Sequence, residues 1–182
     1  MVNVIKSLCY VVLPDNLLTN EKTIYAFLES HIAVYNSELE VEPYQQFFSK
    51  EETVEIAKQK GFHHLVEFEE YLKVHGKDEG IENELYFWIT TFNLQGRWDG
   101  YQLKGVEKGF DLMNKVLPYS VVTPDGVWYS EADFGYKPIL DFENHFNRHP
   151  DNIEPEKKWR EFLEGFFQEY RSENMAVLQV HS

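Results

Sequence analysis

The sequence predicts an α+β fold, in which helices pack on one face of a mostly antiparallel sheet. Three observations support this class. β-rich segments lie near both ends of the chain, a hairpin pattern lies in its second half, and a long amphipathic helix precedes the last strand. The 182 residues suit one domain, 1–182. The more specific expectation is a ferredoxin-like arrangement with a helical insertion at about residues 49–76.

The first strand and the first helix have clear signals. Residues Val4–Leu13 are rich in Val and Ile and end at Pro14, as a strand before a turn does. Asn20 can cap the helix that follows, because its side-chain oxygen can accept from a backbone N–H of the first turn. The apolar face of that helix contains Ile24, Phe27, Leu28, His31 and Tyr35.

The middle of the chain predicts a short strand and two helices. Leu39 and Val41 alternate with glutamates, which favours a strand that ends at Pro43. Ser49-Lys50-Glu51-Glu52 has the pattern of a capping box, and the helix that it begins ends near Gly61. A second helix is expected over His63–His75.

The segment after these helices predicts a loop, a strand and a bend. Residues Lys77–Asn83 are charged and are expected to form a loop, whereas Glu84–Thr90 is β-rich without alternation, as in a central strand buried on both faces. Glycines punctuate the following bend, Asn93–Gly105. We expect the Trp88 strand to lie in one sheet with both terminal strands, and the bend to lie at the rim of that sheet.

The last third contains the strongest local signals. Pro124-Asp125-Gly126 between two β-rich runs predicts a hairpin turn. A helix that begins near Asn152 has a broad apolar face that includes Trp159, and Met175–Val180 predicts a closing strand. The helix is expected to cover the sheet.

Composition restricts the classes of partner. The formal net charge is −14, from 31 acidic and 17 basic residues, which disfavours direct binding to nucleic acid or to anionic membranes. The single cysteine, Cys9, lies in an apolar run and is expected to be buried rather than catalytic. With no apolar stretch long enough to span a bilayer and no signal-peptide pattern, a cytoplasmic location is expected.

The segment Asn93–Tyr101 is the densest candidate site. Arg97 and Asp99 share a face of an extended chain, so a guanidinium beside a carboxylate can hold an anionic or amide ligand, with a hydrogen bond from Tyr101. Asn93 completes the candidate ligand-binding set. The alternative is structural: Arg97 pairs with Asp99, and Trp98 fills the core.

The same segment resembles the N-P-x-G-K-W-D-W-Y core of an uncharacterised family found in phages, prophages and other bacterial mobile elements. The hairpin Val122–Trp128 resembles that family's L-T-P-D-G-x-W stretch, and Val177–His181 is similar to its closing strand. Leu94 replaces the usual Pro, and Gly100 replaces a second Trp. The resemblance implies a fold and a mobile-element context but no reaction.

No complete catalytic or metal-binding motif is present in the sequence. His145 and His149 have a usable metal spacing, with Asp141 or Glu143 as an oxygen ligand, but Pro150 follows at once and no third ligand is fixed by spacing, so no metal and no cofactor are predicted. His31 is expected to be a satisfied core residue. P-loop, Rossmann and nucleophile-elbow patterns are absent from the sequence.

Three functional hypotheses remain open. The first is a non-enzymatic binding or accessory protein of mobile-element origin, with an unknown protein or small molecule as partner. The second is a small-molecule binder or enzyme that uses Arg97, Asp99 and Tyr101. The third is an acidic inhibitor of a DNA-binding enzyme, since a negative surface can imitate nucleic acid. Neither the reaction, if any, nor the oligomeric state is specified by the sequence.

Overall fold

The computed structural model describes residues 6–17, 20–136 and 150–181. The chain divides into two compact units, of which the first combines Met1–Ser37 with Gln95–Ser182 and the second is Glu38–Leu94. The insertion predicted at about residues 49–76 falls within the second unit. The helices of the described residues are α1 Glu21–His31, α2 Lys50–Gln59, α3 Leu65–His75, α4 Gly109–Leu112 and α5 Ile153–Glu169. The strands are β1 Lys6–Val12, β2 Tyr44–Phe47, β3 Glu79–Glu82, β4 Leu85–Thr90, β5 Gly100–Lys108, β6 Ser120–Val122, β7 Trp128–Ser130 and β8 Asn174–His181.

A five-stranded sheet forms the first unit, with strand order β5-β8-β1-β6-β7. Both terminal strands lie in it, because β1 pairs antiparallel with β8 along its whole length, from Lys6 opposite His181 to Val12 opposite Met175. Of the strand pairs that the described residues form in this sheet, β1–β6 is parallel and the others are antiparallel. The predicted α+β class, with mostly antiparallel strands and helices beside the sheet, is therefore confirmed.

The helices of the first unit cover both faces of this sheet rather than one. Cys9 and Val11 of β1 pack with Ile24 and Leu28 of α1. The alternate residues Tyr10 and Val12 pack with α5. Successive side chains of a strand point to opposite faces, so an apolar run such as Leu8–Leu13 supplies two cores at once. The more specific ferredoxin-like arrangement is not confirmed.

The second unit has its own sheet and its own core. Its strand order is β2-β4-β3, with both pairs antiparallel. Tyr86 of β4 packs with Phe68, Leu72 and Ala57 of the two helices. The Ser49–Glu52 capping box is present at the start of α2, as predicted.

The prediction that the Trp88 strand shares a sheet with the terminal strands is wrong. Strand β4 lies in the three-stranded sheet, and its neighbours come from segments whose sequences gave weak signals. Strand β3 lies within the segment that was predicted to be a loop. The short strand that was predicted to end at Pro43 is replaced by β2, which begins directly after Pro43. Asn83 and Glu84 have positive φ angles of 51° and 63°, so they form a two-residue hairpin turn that pairs β3 with β4 locally.

Strand β4 is central in its sheet, but it is not buried on both faces. Trp88 and Ile89 are 43% and 44% exposed. The Trp88 indole donates from Nε1 to Gln46 Oε1 at 2.9 Å, so its polar atom is satisfied across the β2–β4 pair. The apolar run therefore predicted a strand correctly but did not predict its burial.

Candidate functional site

The bend that precedes β5 is anchored by Trp98. The Trp98 side chain is 9% exposed in the core between α1 and the sheet, and its Nε1 donates to the Ile32 carbonyl at 3.1 Å. The backbone N–H of Arg97 donates to the Tyr35 carbonyl at 2.7 Å. Trp98 thus has the expected core position, and the residues on either side of it, Arg97 and Asp99, are exposed.

Arg97 pairs with Asp133 rather than with Asp99. The distance from Arg97 Nη2 to Asp133 Oδ1 is 3.6 Å, and both side chains are well exposed. Asp133 also accepts from the backbone N–H and hydroxyl of Ser130, so it holds the short 3-10 helix Glu131–Phe134 together. An exposed pair of this kind contributes little stability, roughly 0–1 kcal/mol.

Asp99 and Tyr101 have other neighbours. Asp99 is exposed, and its backbone N–H donates to the His181 carbonyl at 3.0 Å. Tyr101 is half-buried, with its ring 6.1 Å from that of Tyr25 and 5.2 Å from that of Trp98. Burial raises the pKa of Tyr101, and the charge of Glu29 raises it further.

Asn93, the fourth candidate residue, is buried and belongs to the second unit. Among the described residues, no ion pair or ring contact joins Arg97, Asp99 and Tyr101 to one another. Arg97 thus contacts Asp133, and Tyr101 contacts Tyr25 and Trp98.

Cys9 is buried, as the sequence indicated, and His31 is half-buried with one ring nitrogen in a hydrogen bond. The His31 ring stacks on Phe27 at 4.5 Å, and its Nε2 donates to the Thr123 carbonyl at 3.1 Å. Cys9 is fully buried, and desolvation raises the pKa of its thiol to about 12. No group of three or more potential metal ligands occurs in the described residues. The His145–His149 pair lies outside them.

A groove between the β6–β7 hairpin and α5 is a candidate site, because it brings carboxylates and aromatic rings together. We call it the acidic aromatic groove; its volume is about 520 Å³. It is lined by three carboxylates, by a row of aromatic rings, and by two small residues: Asp125, Glu161, Glu169, Tyr129, Phe162, Phe166, Tyr170, Thr123 and Gly165. No Lys or Arg of the described residues lines the groove, although Lys157, one turn earlier on α5, approaches Glu161 at 3.8 Å.

The rings of the groove contact one another in sequence. The Phe162 ring is 4.9 Å from the Tyr129 ring and 6.4 Å from the Phe166 ring, and the Phe166 ring is 5.0 Å from the Tyr170 ring. The planes of Phe162 and Phe166 differ by only 29°. Aromatic faces are negative, so a continuous row of them attracts a cation that lies over it.

The hairpin that carries Asp125 is held in place by α1 and by the segment after it. Tyr35 donates from its hydroxyl to the Gly126 carbonyl at 2.9 Å and accepts from the Trp128 N–H at 3.1 Å. Gly126 has the positive φ of 85° that the turn requires. The Thr123 hydroxyl donates to Asp125 Oδ1. Since both ends of the turn are bonded, Asp125 has a defined position at the edge of the groove.

The charges of the groove act on Tyr170. Desolvation raises the pKa of Tyr170, and the hydrogen bond to Glu169 and the negative charges of Glu169 and Asp125 raise it further. The carboxylates therefore produce a negative potential at the aromatic row, and a cationic group is the ligand that relieves it.

Sequence reasoning missed this groove, although half of it has a local signal. Glu161, Gly165 and Glu169 recur every four residues and run beside the row Phe162, Phe166 and Tyr170, which is one residue further on. Rows at this spacing form adjacent ridges on a helix surface. The other half comes from the hairpin, more than 30 residues away in sequence, and no local pattern predicts that contact.

Comparisons with known proteins assign no family and no function to this chain. No family model matches the sequence, and neither a curated protein nor a solved structure matches it. Within the described residues, no helix is both long enough and apolar enough to cross a bilayer.

Proposed function

We propose that the protein is a non-enzymatic binding or accessory protein, and that the acidic aromatic groove binds a positively charged group of its partner. The observation that carries the proposal is the combination of Asp125, Glu161 and Glu169 with a continuous row of rings in one cavity. Carboxylates supply charge and hydrogen-bond acceptors, and the rings supply a desolvated surface that favours cations.

The remaining candidate groups support binding rather than catalysis. The thiol of Cys9 is buried with a raised pKa, so it is a poor nucleophile. His31 is engaged with the Thr123 carbonyl. Cys9 serves the core of the first unit and His31 holds the β6–β7 hairpin, whereas Asp125, Glu161 and Glu169 are exposed at the groove.

A short basic peptide that contains arginine and lysine in equal proportion tests the proposal. At an ionic strength near 0.15 M, where the Debye length is about 8 Å, diffuse attraction to the acidic surface is weak. We expect the peptide to shift the NMR signals of groove residues, and Glu169→Gln or Asp125→Asn to weaken binding by about tenfold, or roughly 1.4 kcal/mol.

The matched control is Glu164→Gln. Glu164 is exposed on the same helix and does not line the groove, so this variant changes the net charge equally. Equal losses for Glu164→Gln and Glu169→Gln would show that only the overall charge attracts the peptide, and would overturn the proposal. Failure of the peptide to bind at all would do the same.

A second candidate function is small-molecule binding beside Arg97. A cavity of about 310 Å³ is lined by residues that include Tyr119, Glu131, Trp159 and Arg160. Burial raises the pKa of Tyr119, and the positive charge of Arg97 opposes that shift, so Arg97 acts electrostatically on this cavity. Arg97→Ala is expected to abolish ligand binding without unfolding the protein. Equal loss of binding and stability would favour a structural role.

The mobile-element origin and the inhibition of a DNA-binding enzyme are also proposals. The first rests on the resemblance of the Asn93–Tyr101 and Val122–Trp128 segments, and the genes that neighbour this one test it. The second is consistent with a groove for cations, because DNA-binding enzymes present basic surfaces. Competition between this protein and DNA for such an enzyme is the measurement that tests it.

A further inference from the structure

Gly165 has no structural explanation within the described part of the chain. It lies in the interior of α5, where glycine costs about 0.8–1.0 kcal/mol relative to alanine. A Cβ built at this position meets no heavy atom of the described residues within 4 Å. Neither a close contact nor a positive φ requires the glycine. Gly165 does line the acidic aromatic groove, so the absence of a side chain leaves that part of the groove open.

The space above Gly165 lies between acceptors on several sides. Glu161 and Glu169 are one turn before and one turn after Gly165, so their Cα atoms are separated by about 12 Å along the helix axis. Asp125 approaches from the hairpin. A group that lies in the groove at Gly165 therefore shares it with the half-buried Phe162 ring and with these carboxylates, while the Phe166 ring is only 4% exposed and belongs to the core.

We infer that the groove binds an arginine side chain of a basic protein segment, with its guanidinium over Gly165. A guanidinium is planar, stacks on aromatic faces and carries five N–H donors that can reach several carboxylates. An ammonium is compact and strongly hydrated, so it gains less from an extended row of rings. Free arginine carries an α-ammonium and an α-carboxylate, whose desolvation costs binding free energy, whereas a residue within a blocked peptide has neutral amides at those positions.

This inference rests on the proposed function and names the ligand of the same groove. It requires that the open space at Gly165 be used, and the proposed function does not. The two can therefore fail separately.

The experiment compares three probes by NMR titration: a blocked tripeptide with a central arginine, the same tripeptide with lysine, and free L-arginine. We expect the arginine tripeptide to bind at least about tenfold more tightly than either of the others. Equal affinity for the arginine and lysine tripeptides would overturn the arginine inference and leave the proposed function standing. Absence of binding by all three would overturn both.

Gly165→Leu tests the position of the guanidinium. Leucine is a good helix former, so the helix is retained while its side chain fills the space above the rings. Gln168→Leu is the matched control, because Gln168 is an exposed, uncharged residue of the same helix that does not line the groove. We expect Gly165→Leu to weaken the arginine tripeptide by at least about tenfold and Gln168→Leu to leave its affinity unchanged. Unchanged affinity in Gly165→Leu would overturn the inference.

Discussion

Replacing Gly165 by alanine should stabilise the first unit. The substitution adds one methyl group to the interior of α5, at a position where it meets no heavy atom of the described residues within 4 Å. It therefore introduces no clash with them, and it removes backbone freedom that the unfolded chain has at glycine.

The expected gain follows from helix propensity. Glycine is about 0.8–1.0 kcal/mol less favourable than alanine in a helix interior. For a protein of 150–250 residues, 1 kcal/mol raises Tm by about 2–4 °C. Gln168→Ala is the control on the same helix, and a surface change of that kind stays within about 0.5 kcal/mol.

Amide hydrogen exchange measures this gain in the unit concerned. The amides of β1 lie in the centre of the five-stranded sheet, so their slowest exchange reports the free energy of unfolding of the first unit. Protection there should increase by about fourfold to fivefold for a gain of about 0.8–1.0 kcal/mol. Unchanged or reduced protection in Gly165→Ala would refute the reasoning, because it would mean that the space above Gly165 is not free.

Three further predictions address other parts of the chain. Gly109→Ala should destabilise the first unit by about 1–3 kcal/mol, because the added Cβ would lie 2.4 Å from the Tyr170 carbonyl oxygen. Urea denaturation measures this change, and a decrease in the free energy of unfolding of less than about 0.5 kcal/mol, as for a neutral surface change, would contradict the prediction. The pKa of Glu79 is lowered, chiefly by the hydrogen bond that its carboxylate accepts from Tyr86. The carboxylate should therefore stabilise the second unit above the ordinary pKa of 4.5, and this stabilisation should be lost as the pH falls through the lowered pKa. Glu79→Gln should flatten the pH dependence of the free energy of unfolding in this range, and an unchanged pH profile would contradict the prediction. Cys9, with a pKa of about 12, should resist alkylation by iodoacetamide in native protein and react after denaturation, and rapid labelling of native protein would show an exposed thiolate.

The elements with strong local patterns were predicted well. Asn20 caps α1 through its side chain, and Ser49 and Glu52 form the expected capping box at α2. The Pro124-Asp125-Gly126 turn connects β6 with β7 as predicted. Each of these signals consists of residues only a few positions apart, so the sequence contains all of the interacting atoms in one window.

The elements with weak patterns were missed for a physical reason. Strand β3, Glu79–Glu82, is short and polar, and its pairing with β4 depends on two residues that adopt positive φ angles without being glycine. Strand β5 lies within and beyond the predicted bend, and it is held by β8 from the opposite end of the chain. In both cases tertiary pairing overrides weak local preference.

The candidate site divides in the same way. The sequence placed the candidate site in the Asn93–Tyr101 segment, and within it Trp98 fills the core, as one alternative stated. Which carboxylate pairs with Arg97 was not predictable, since Asp133 comes from a distant 3-10 helix. The groove was likewise not predictable from the sequence, because Asp125 and Glu169 line one cavity only once the hairpin and α5 have packed on the same side of the sheet.

The sequence by itself determined the α+β class, the cap of α1, the capping box of α2, the hairpin turn and the acidic character of the chain, because periodicity, caps, turns and charge are local or additive properties. Only the tertiary structure decided that β4 joins a separate sheet, that helices cover both faces of the larger sheet, and that carboxylates surround a row of rings beside Gly165. These features depend on contacts between residues far apart in the chain, and such contacts are chosen by the packing of the whole fold.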